Sequence, residues 1–163
     1  MIPTNVRPLR GPANEADARF AAFYRAERPA AVRLAALLTQ RVAAEDVVQD
    51  AFVGLYPRFD RLDNPAAYLR VAILNGCRQM HRRRAVELDR MPRLVAPGFD
   101  HPELPALADA VALLPYRQRA VLVLRYWLDL SEDDIAEALG CRPGTVKSLS
   151  SRALERLGKE VER

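Results

Sequence analysis

The sequence predicts an all-α protein made of two small helical domains joined by a flexible linker. Three observations carry this. Apolar residues recur at helical spacing over two long stretches, from about Glu15 to Arg84 and from about Leu107 to Leu157. No stretch alternates apolar and polar residues with the period of two that a half-buried strand needs. Between the two stretches, Pro92, Pro97, Gly98, Pro102 and Pro105 break any regular pattern, while Glu87, Asp89, Asp100 and Glu103 add acid. That composition is a linker's. The boundaries follow: a tail at 1–14, a first domain at 15–84, a linker at 85–106 and a second domain at 107–163.

The elements can be justified in order. The tail holds Pro3, Pro8, Gly11 and Pro12 with no apolar period. Asp17 to Glu27 (DARFAAFYRAE) predicts a short helix with Phe20, Phe23 and Tyr24 on one side. RPAAVRLAALLT predicts a second helix, with Pro29 near its start, where proline is tolerated. AAEDVVQDAFVGLYPRF predicts a third, Pro57 disturbing only its end. Asn64 then reads as an N-cap and Pro65 as the first helical residue of PAAYLRVAILNGCRQMHRRR.

Composition narrows the function class. With 50% hydrophobic and 28% charged residues, a packed core is affordable to the chain and wholesale disorder is excluded. The net charge of +4 is a mild bias, so its distribution matters more, and it concentrates at Arg78–Arg84 and in the last twenty or so residues. Cys77 and Cys141 lie far apart, without a second Cys or His at metal-ligand spacing, and read as reduced thiols. No metal and no cofactor is expected. The N-terminus has no apolar secretory core, and no apolar run is long enough for a membrane span. A cytoplasmic protein without membrane insertion is therefore expected. His81 and His101 are the only histidines, and there is neither a Gly-rich phosphate loop nor a nucleophile–base arrangement. The chain does not read as an enzyme.

The sharpest signal lies near the C-terminus. Ser131 and Asp134 have the spacing of a capping box, Ile135, Ala136 and Leu139 supply a buried stripe, and Gly140 fits a left-handed helix stop. Cys141 and Arg142 make a short turn, and Pro143 starts the next helix. This is the helix-turn-helix layout. Rotated at about 100° per residue, the second helix puts Val146, Ser150, Ala153, Leu154 and Leu157 inward. Gly144, Lys147, Ser148, Ser151 and Arg152 fall opposite, mostly short and hydrogen-bonding, with two cations. Such a face lets the backbone approach a major groove while cations reach phosphates or guanine edges.

Two faces of the first domain are also distinctive. On the Ala43–Phe59 helix, Val47, Val48, Ala51, Phe52, Leu55 and Phe59 form the inward arc, leaving Asp46, Gln49, Asp50 and Val53 outward. An acidic face with an exposed apolar residue suits docking to a basic protein surface, or is simply solvated. On the helix from Pro65, Leu69, Ile73, Gly76, Cys77 and Met80 make the packed side, with Asn75, Arg78, Gln79 and Arg82 opposite. An amide flanked by arginines can read a base edge while its neighbours hold phosphates; a solvated basic helix end is the alternative.

VLVLRYWLDLSEDDIAEALGCRPGTVKSLSSRAL closely resembles the promoter-reading domain of extracytoplasmic-function sigma factors, especially the small actinobacterial subgroup. AAEDVVQDAFVGLY and AYLRVAILNGCRQMHRRR are similar to that family's other domain, in the right order and at the right separation, so the resemblance covers about residues 16 to 160. It implies a subunit that binds core RNA polymerase and directs initiation at promoter DNA. It assigns Asp46, Gln49, Asp50 and Val53 to the polymerase, and Asn75, Arg78, Gln79 and Arg82, with the loop Asp60–Asn64, to the −10 element. Arg125, Arg142, Thr145, Lys147, Ser148, Ser151 and Arg152 are assigned to the −35 element. An anti-sigma factor that clamps the two domains is a further partner the family suggests. Two departures stand out: Leu149 replaces an arginine frequent in relatives, and the Asp60–Asn64 loop has no aromatic residue for stacking. The rival reading, a dimeric helix-turn-helix regulator, explains residues 107–163 but leaves the first domain idle.

Overall fold

The structure, a computed structural model, describes residues 15–39, 41–88 and 110–161; the tail at 1–14 and residues 89–106 of the expected linker lie outside them. Helices α1 (Glu15–Leu38), α2 (Arg41–Leu55) and α3 (Pro65–Leu88) build the first half, with a 3₁₀ segment at Tyr56–Arg61. The second half contains α4 (Tyr116–Leu122), which runs on into a π-helical turn at Val123–Trp127, then α5 (Glu132–Leu139) and α6 (Pro143–Val161). No strand occurs among the described residues.

Two boundaries differ from the sequence reading. The two short helices expected before residue 40 are one helix, α1, with Pro29 inside it. Proline deletes one hydrogen bond and pushes the carbonyl four residues back outward, but Arg25 and Pro29 are both exposed, so the defect lies on the solvent side of the helix. Burial of Ala31, Leu34, Ala35 and Leu38 carries the helix across the defect. At the other end, α3 continues to Leu88, so residues 85–88 are helical and not linker.

Local signals are used as the sequence suggests. Asn64 Oδ1 accepts the Ala67 amide at 2.9 Å, capping α3 ahead of Pro65. Pro57 falls in the first turn of the 3₁₀ segment, where its missing N–H costs nothing. Phe20, Phe23 and Tyr24 of α1 meet Phe52, Tyr56 and Phe59 with ring centroids 4.7 to 6.3 Å apart, mostly edge-on. That aromatic seam fixes α1 across α2 and the 3₁₀ segment.

Where α2 crosses α3 the approach is close. A Cβ on Gly76 would lie 2.8 Å from Val47 Cγ1, a buried, rotamer-stiff side chain. Gly76→Ala gains roughly 1 kcal/mol of helix propensity but costs about 1–3 kcal/mol in overpacking. A net loss of about 1 kcal/mol is expected in urea melts, and an unchanged midpoint would refute the tight crossing.

The two halves are docked on each other. Leu34, Leu38, Ile73, Leu74 and Cys77 belong to the same buried cluster as Val121, Leu124, Ile135 and Val146. Leu38 ends α1, so its carbonyl lacks a helical partner. His81 Nε2 donates to it at 2.6 Å, and Arg119 Nη1 from α4 donates at 3.3 Å. Arg119 is 6% exposed and also donates to the carbonyls of Val111, Ala112 and Leu114, so it gathers loose backbone ends from both halves. Burial lowers its pKa, with Tyr116 and Cys77 countering. Tyr116 Oη donates to Leu74 O at 2.6 Å, and its ring lies 5.0 Å from that of His81.

Candidate nucleic-acid and protein interfaces

The helix-turn-helix is built by its own chain chemistry. Ser131 Oγ accepts the Asp134 amide at 3.1 Å and donates to Asp134 Oδ2 at 2.6 Å, closing the start of α5. Gly140 adopts φ 60°, the left-handed stop, and the Cys141 amide returns to Ala136 O at 2.9 Å. A side chain at Gly140 meets nothing, so only its backbone conformation demands glycine. Ile135, Ala136, Val146, Ser150 and Ala153 are buried between the two helices and α4.

On the outer side of α6, Gly144, Lys147, Ser148, Ser151 and Arg152 are all exposed, with Thr145 half-buried beside them and Arg142 exposed in the turn. Leu154, expected inward, is 46% exposed: it lies one residue, about 100°, round from fully buried Ala153 and so falls at the edge of the packed arc. Ser148 spends its hydroxyl proton on the carbonyls of Gly144 and Thr145, at 3.2 and 3.0 Å, and so offers only acceptor lone pairs outward. Leu149 is half-buried against the core and belongs to the packing, not to the outer face.

Arg125 reaches this face through the π-helical turn. The Leu128 amide bonds Val123 O and Leu130 bonds Leu124 O, widening the helix at Arg125 before Asp129 takes φ 50°. Nothing in the apolar periodicity signals the turn. Its consequence is an ion pair the sequence reading missed: Glu132 holds Arg125 at 3.1 Å and Lys147 at 3.6 Å.

In the first half, Val47, Val48, Ala51, Phe52 and Leu55 are buried, and Asp46, Gln49, Asp50 and Val53 are exposed. Val53 is 66% exposed, an apolar side chain amid acid and amide. On α3, Leu69, Ile73 and Cys77 are buried, while Asn75, Arg78, Gln79 and Arg82 are exposed. Sequence reasoning treats these as two separate faces. The structure brings their edges together in one cleft of about 530 Å³, lined by Asp50 and Gly54 on one wall and Asn75, Arg78, Gln79 and Arg82 on the other. Asp46 and Val53 stand outside it.

Both cysteines are free. Cys77 is buried, and desolvation pushes its thiol up to about 12 despite the nearby Arg119, so it is a packing residue rather than a nucleophile. Among the described residues no group of His, Cys, Asp and Glu could hold a metal, and no helix is long and apolar enough to cross a membrane.

Residues 23–86 match the family model of sigma-70 region 2, and residues 104–157 match that of sigma-70 region 4. An RNA polymerase sigma-E factor of Streptomyces avermitilis is 35% identical over 152 residues, covering 88% of this chain and 85% of the relative. An ECF RNA polymerase sigma factor, SigC of Mycobacterium tuberculosis, is 28% identical over 152 residues, covering 86% and 82%. Among solved structures, the sigma factor RpoE in complex with the anti-sigma factor NepR from Bartonella quintana superposes with a TM-score of 0.75 at 26% identity. That likeness covers 88% of this chain and 97% of the other, both halves included.

Proposed function

The chain belongs to the sigma-70 family as an extracytoplasmic-function sigma factor that binds core RNA polymerase and directs promoter-specific initiation, and from that premise we propose how its surfaces divide the work. The outer face of α6 reads the −35 element in the major groove: Arg152 a base edge, Lys147 both base and phosphate. Arg125, Arg142 and Thr145 hold the backbone beside it. Asn75, Arg78, Gln79 and Arg82 line the α3 wall that takes the −10 strand, with the loop Asp60–Asn64 ahead of it. Asp46, Gln49, Asp50 and Val53 of α2 dock on the polymerase. On this reading the chain acts in the cytoplasm and catalyses nothing itself.

The observation that carries the reading is the α6 face itself. Lys147, Ser148, Ser151 and Arg152 stand exposed together, opposite buried Val146, Ser150 and Ala153, on the helix that follows a Gly140 turn. Initiation on a library of upstream elements tests it. Arg152→Ala should lose about 1–3 kcal/mol at the preferred sequence and relax preference at one position only. Lys147→Ala should weaken all sequences and lower the salt slope by up to about one unit. If Arg152→Ala keeps wild-type preference and activity, α6 does not read the promoter.

The docked arrangement belongs to the chain off the promoter. The −10 and −35 elements are by name about 25 base pairs apart, roughly 85 Å of duplex. A compact chain of 163 residues spans only about 40 Å. The halves therefore separate when both elements are read, and residues 89–109 can bridge up to about 70 Å if extended. The solved RpoE chain, which superposes on both docked halves, is itself in complex with an anti-sigma factor, and a partner that holds this chain in the same arrangement fits the same role.

A further inference from the structure

We propose that Glu132 is a specificity-determining positioning residue of the −35 face, holding Lys147 and Arg125 away from indiscriminate phosphate contact; this rests on the promoter reading above. The cations of that face are not equivalent. Arg125 comes from the π-helical turn and Lys147 from α6, and one carboxylate takes both, Oε1 on Arg125 Nη1 at 3.1 Å and Oε2 on Lys147 Nζ at 3.6 Å. Among the described residues, Arg142 and Arg152 form no ion pair. Two arginines thus face solvent ready for DNA, and two cations are already engaged.

The carboxylate is well placed for this. Glu132 is the first residue of α5 after the Ser131 cap, beside the partial positive charge of the helix N-terminus, which favours a negative charge there even without the cations. Its side chain is 31% exposed against 70% for Lys147, so it sits beneath the amine and not at the outermost surface. A pair this open contributes little to stability in water. Its effect lies in the competition when DNA arrives.

Duplex DNA of any sequence offers phosphates, and a free lysine takes them anywhere. A lysine held by Glu132 must leave a carboxylate to take a phosphate, and the carboxylate then faces the DNA backbone. At a promoter, base-edge acceptors in register compensate for that exchange; at random sequence nothing does. Specificity is a difference between two affinities, and a fixed negative charge among the contacts lowers the wrong one more than the right one. Arg125, held by the other oxygen, is fixed in direction at the same time, which keeps the backbone contact in register with α6.

Glu132→Gln keeps the size and removes the charge. In holoenzyme, binding to promoter and to non-promoter duplex is measured at several salt concentrations, alongside initiation on the upstream-element library. Glu132→Gln should tighten non-promoter binding about fivefold, steepen its log–log salt slope by up to one unit, and shrink the promoter to non-promoter ratio severalfold. In a Lys147→Ala background the same change should have a clearly smaller effect, because one of the two held cations is gone. An unaltered slope and ratio, or an undiminished effect without Lys147, would overturn the proposal. Glu132→Asp guards against a folding artefact: it keeps the charge but is too short to reach both cations, so the ratio should fall and the slope steepen, each by less than in Glu132→Gln. A wild-type ratio for Glu132→Asp would exclude the bridging role. Failure here with a clear Arg152→Ala phenotype removes only the role of Glu132, whereas loss of both phenotypes removes the promoter reading.

Discussion

Reversing Asp46 and Asp50 to lysine together is expected to abolish holoenzyme assembly at concentrations where the wild-type chain saturates core polymerase. The two carboxylates stand exposed on one side of α2 with Gln49 between them and Val53 one turn on. Close charge pairs across protein interfaces couple by about 1.5–7 kcal/mol, and reversal replaces an attraction with a repulsion at each position. Even the lower bound, taken twice, is more than a hundredfold in affinity. Because both residues are exposed, stability should change by no more than about 0.5 kcal/mol, which a urea melt checks. The single variants separate two roles. Asp50 lines the cleft facing Arg78 and Arg82, whereas Asp46 lies outside it. Asp46→Lys should therefore impair assembly alone, and Asp50→Lys should also alter −10 strand binding by an isolated holoenzyme. Wild-type affinity in the double variant would remove α2 as the polymerase face.

The second large effect is conformational. With fluorophores on an exposed position of α1 and an exposed position of α6, the free chain should give high energy transfer, and promoter-bound holoenzyme should give nearly none. The argument is one of reach: about 40 Å when docked against roughly 85 Å between the elements. The contacts to be broken are specific. Tyr116 Oη leaves Leu74 O, Arg119 Nη1 leaves Leu38 O, and the apolar surface shared by α1, α3, α4 and α5 becomes exposed. Tyr116→Phe removes one buried hydrogen bond, worth about 1 kcal/mol, and should shift the free chain toward the open form about fivefold. Arg119→Ala is a poorer probe, since among the described residues it also donates to Val111, Ala112 and Leu114 within its own half. A covalent cross-link between the halves should leave each folded and silence initiation at promoters that need both elements. Full initiation by the cross-linked chain would show that separation is not required.

These contacts also mark where sequence reasoning stops. Leu154 apart, the helix-turn-helix was legible in the sequence because its determinants are local. A cap bonds three residues ahead, Gly140 needs only its own φ, and helical rotation sorts Lys147, Ser148, Ser151 and Arg152 from Val146, Ser150 and Ala153. The same holds for the acidic side of α2 and the amide–arginine side of α3. Pro29 misled because propensity is local while the burial that overrides it is not: Leu34 and Leu38 reward one continuous α1 by packing against α2 and α3. Arg119 does not stand out in the sequence: it is one of two arginines in YRQRAVLVL, and nothing there separates it from Arg117 or names its partner.

The sequence by itself determined the helical class, the family and the polar faces. The class and the faces follow from spacing within a few turns of helix, and the family from the resemblance of three motifs taken in order. The tertiary structure alone decided that the two halves dock, that Arg119 is buried against a carbonyl 81 residues away, and that Asp50 shares a cleft with Arg78 and Arg82. It also decided that Glu132 takes Lys147 and Arg125 on its two oxygens. The physical reason is common to all four. Each contact joins groups on different helices, and its geometry is set by how those helices cross, a quantity that no helical period encodes.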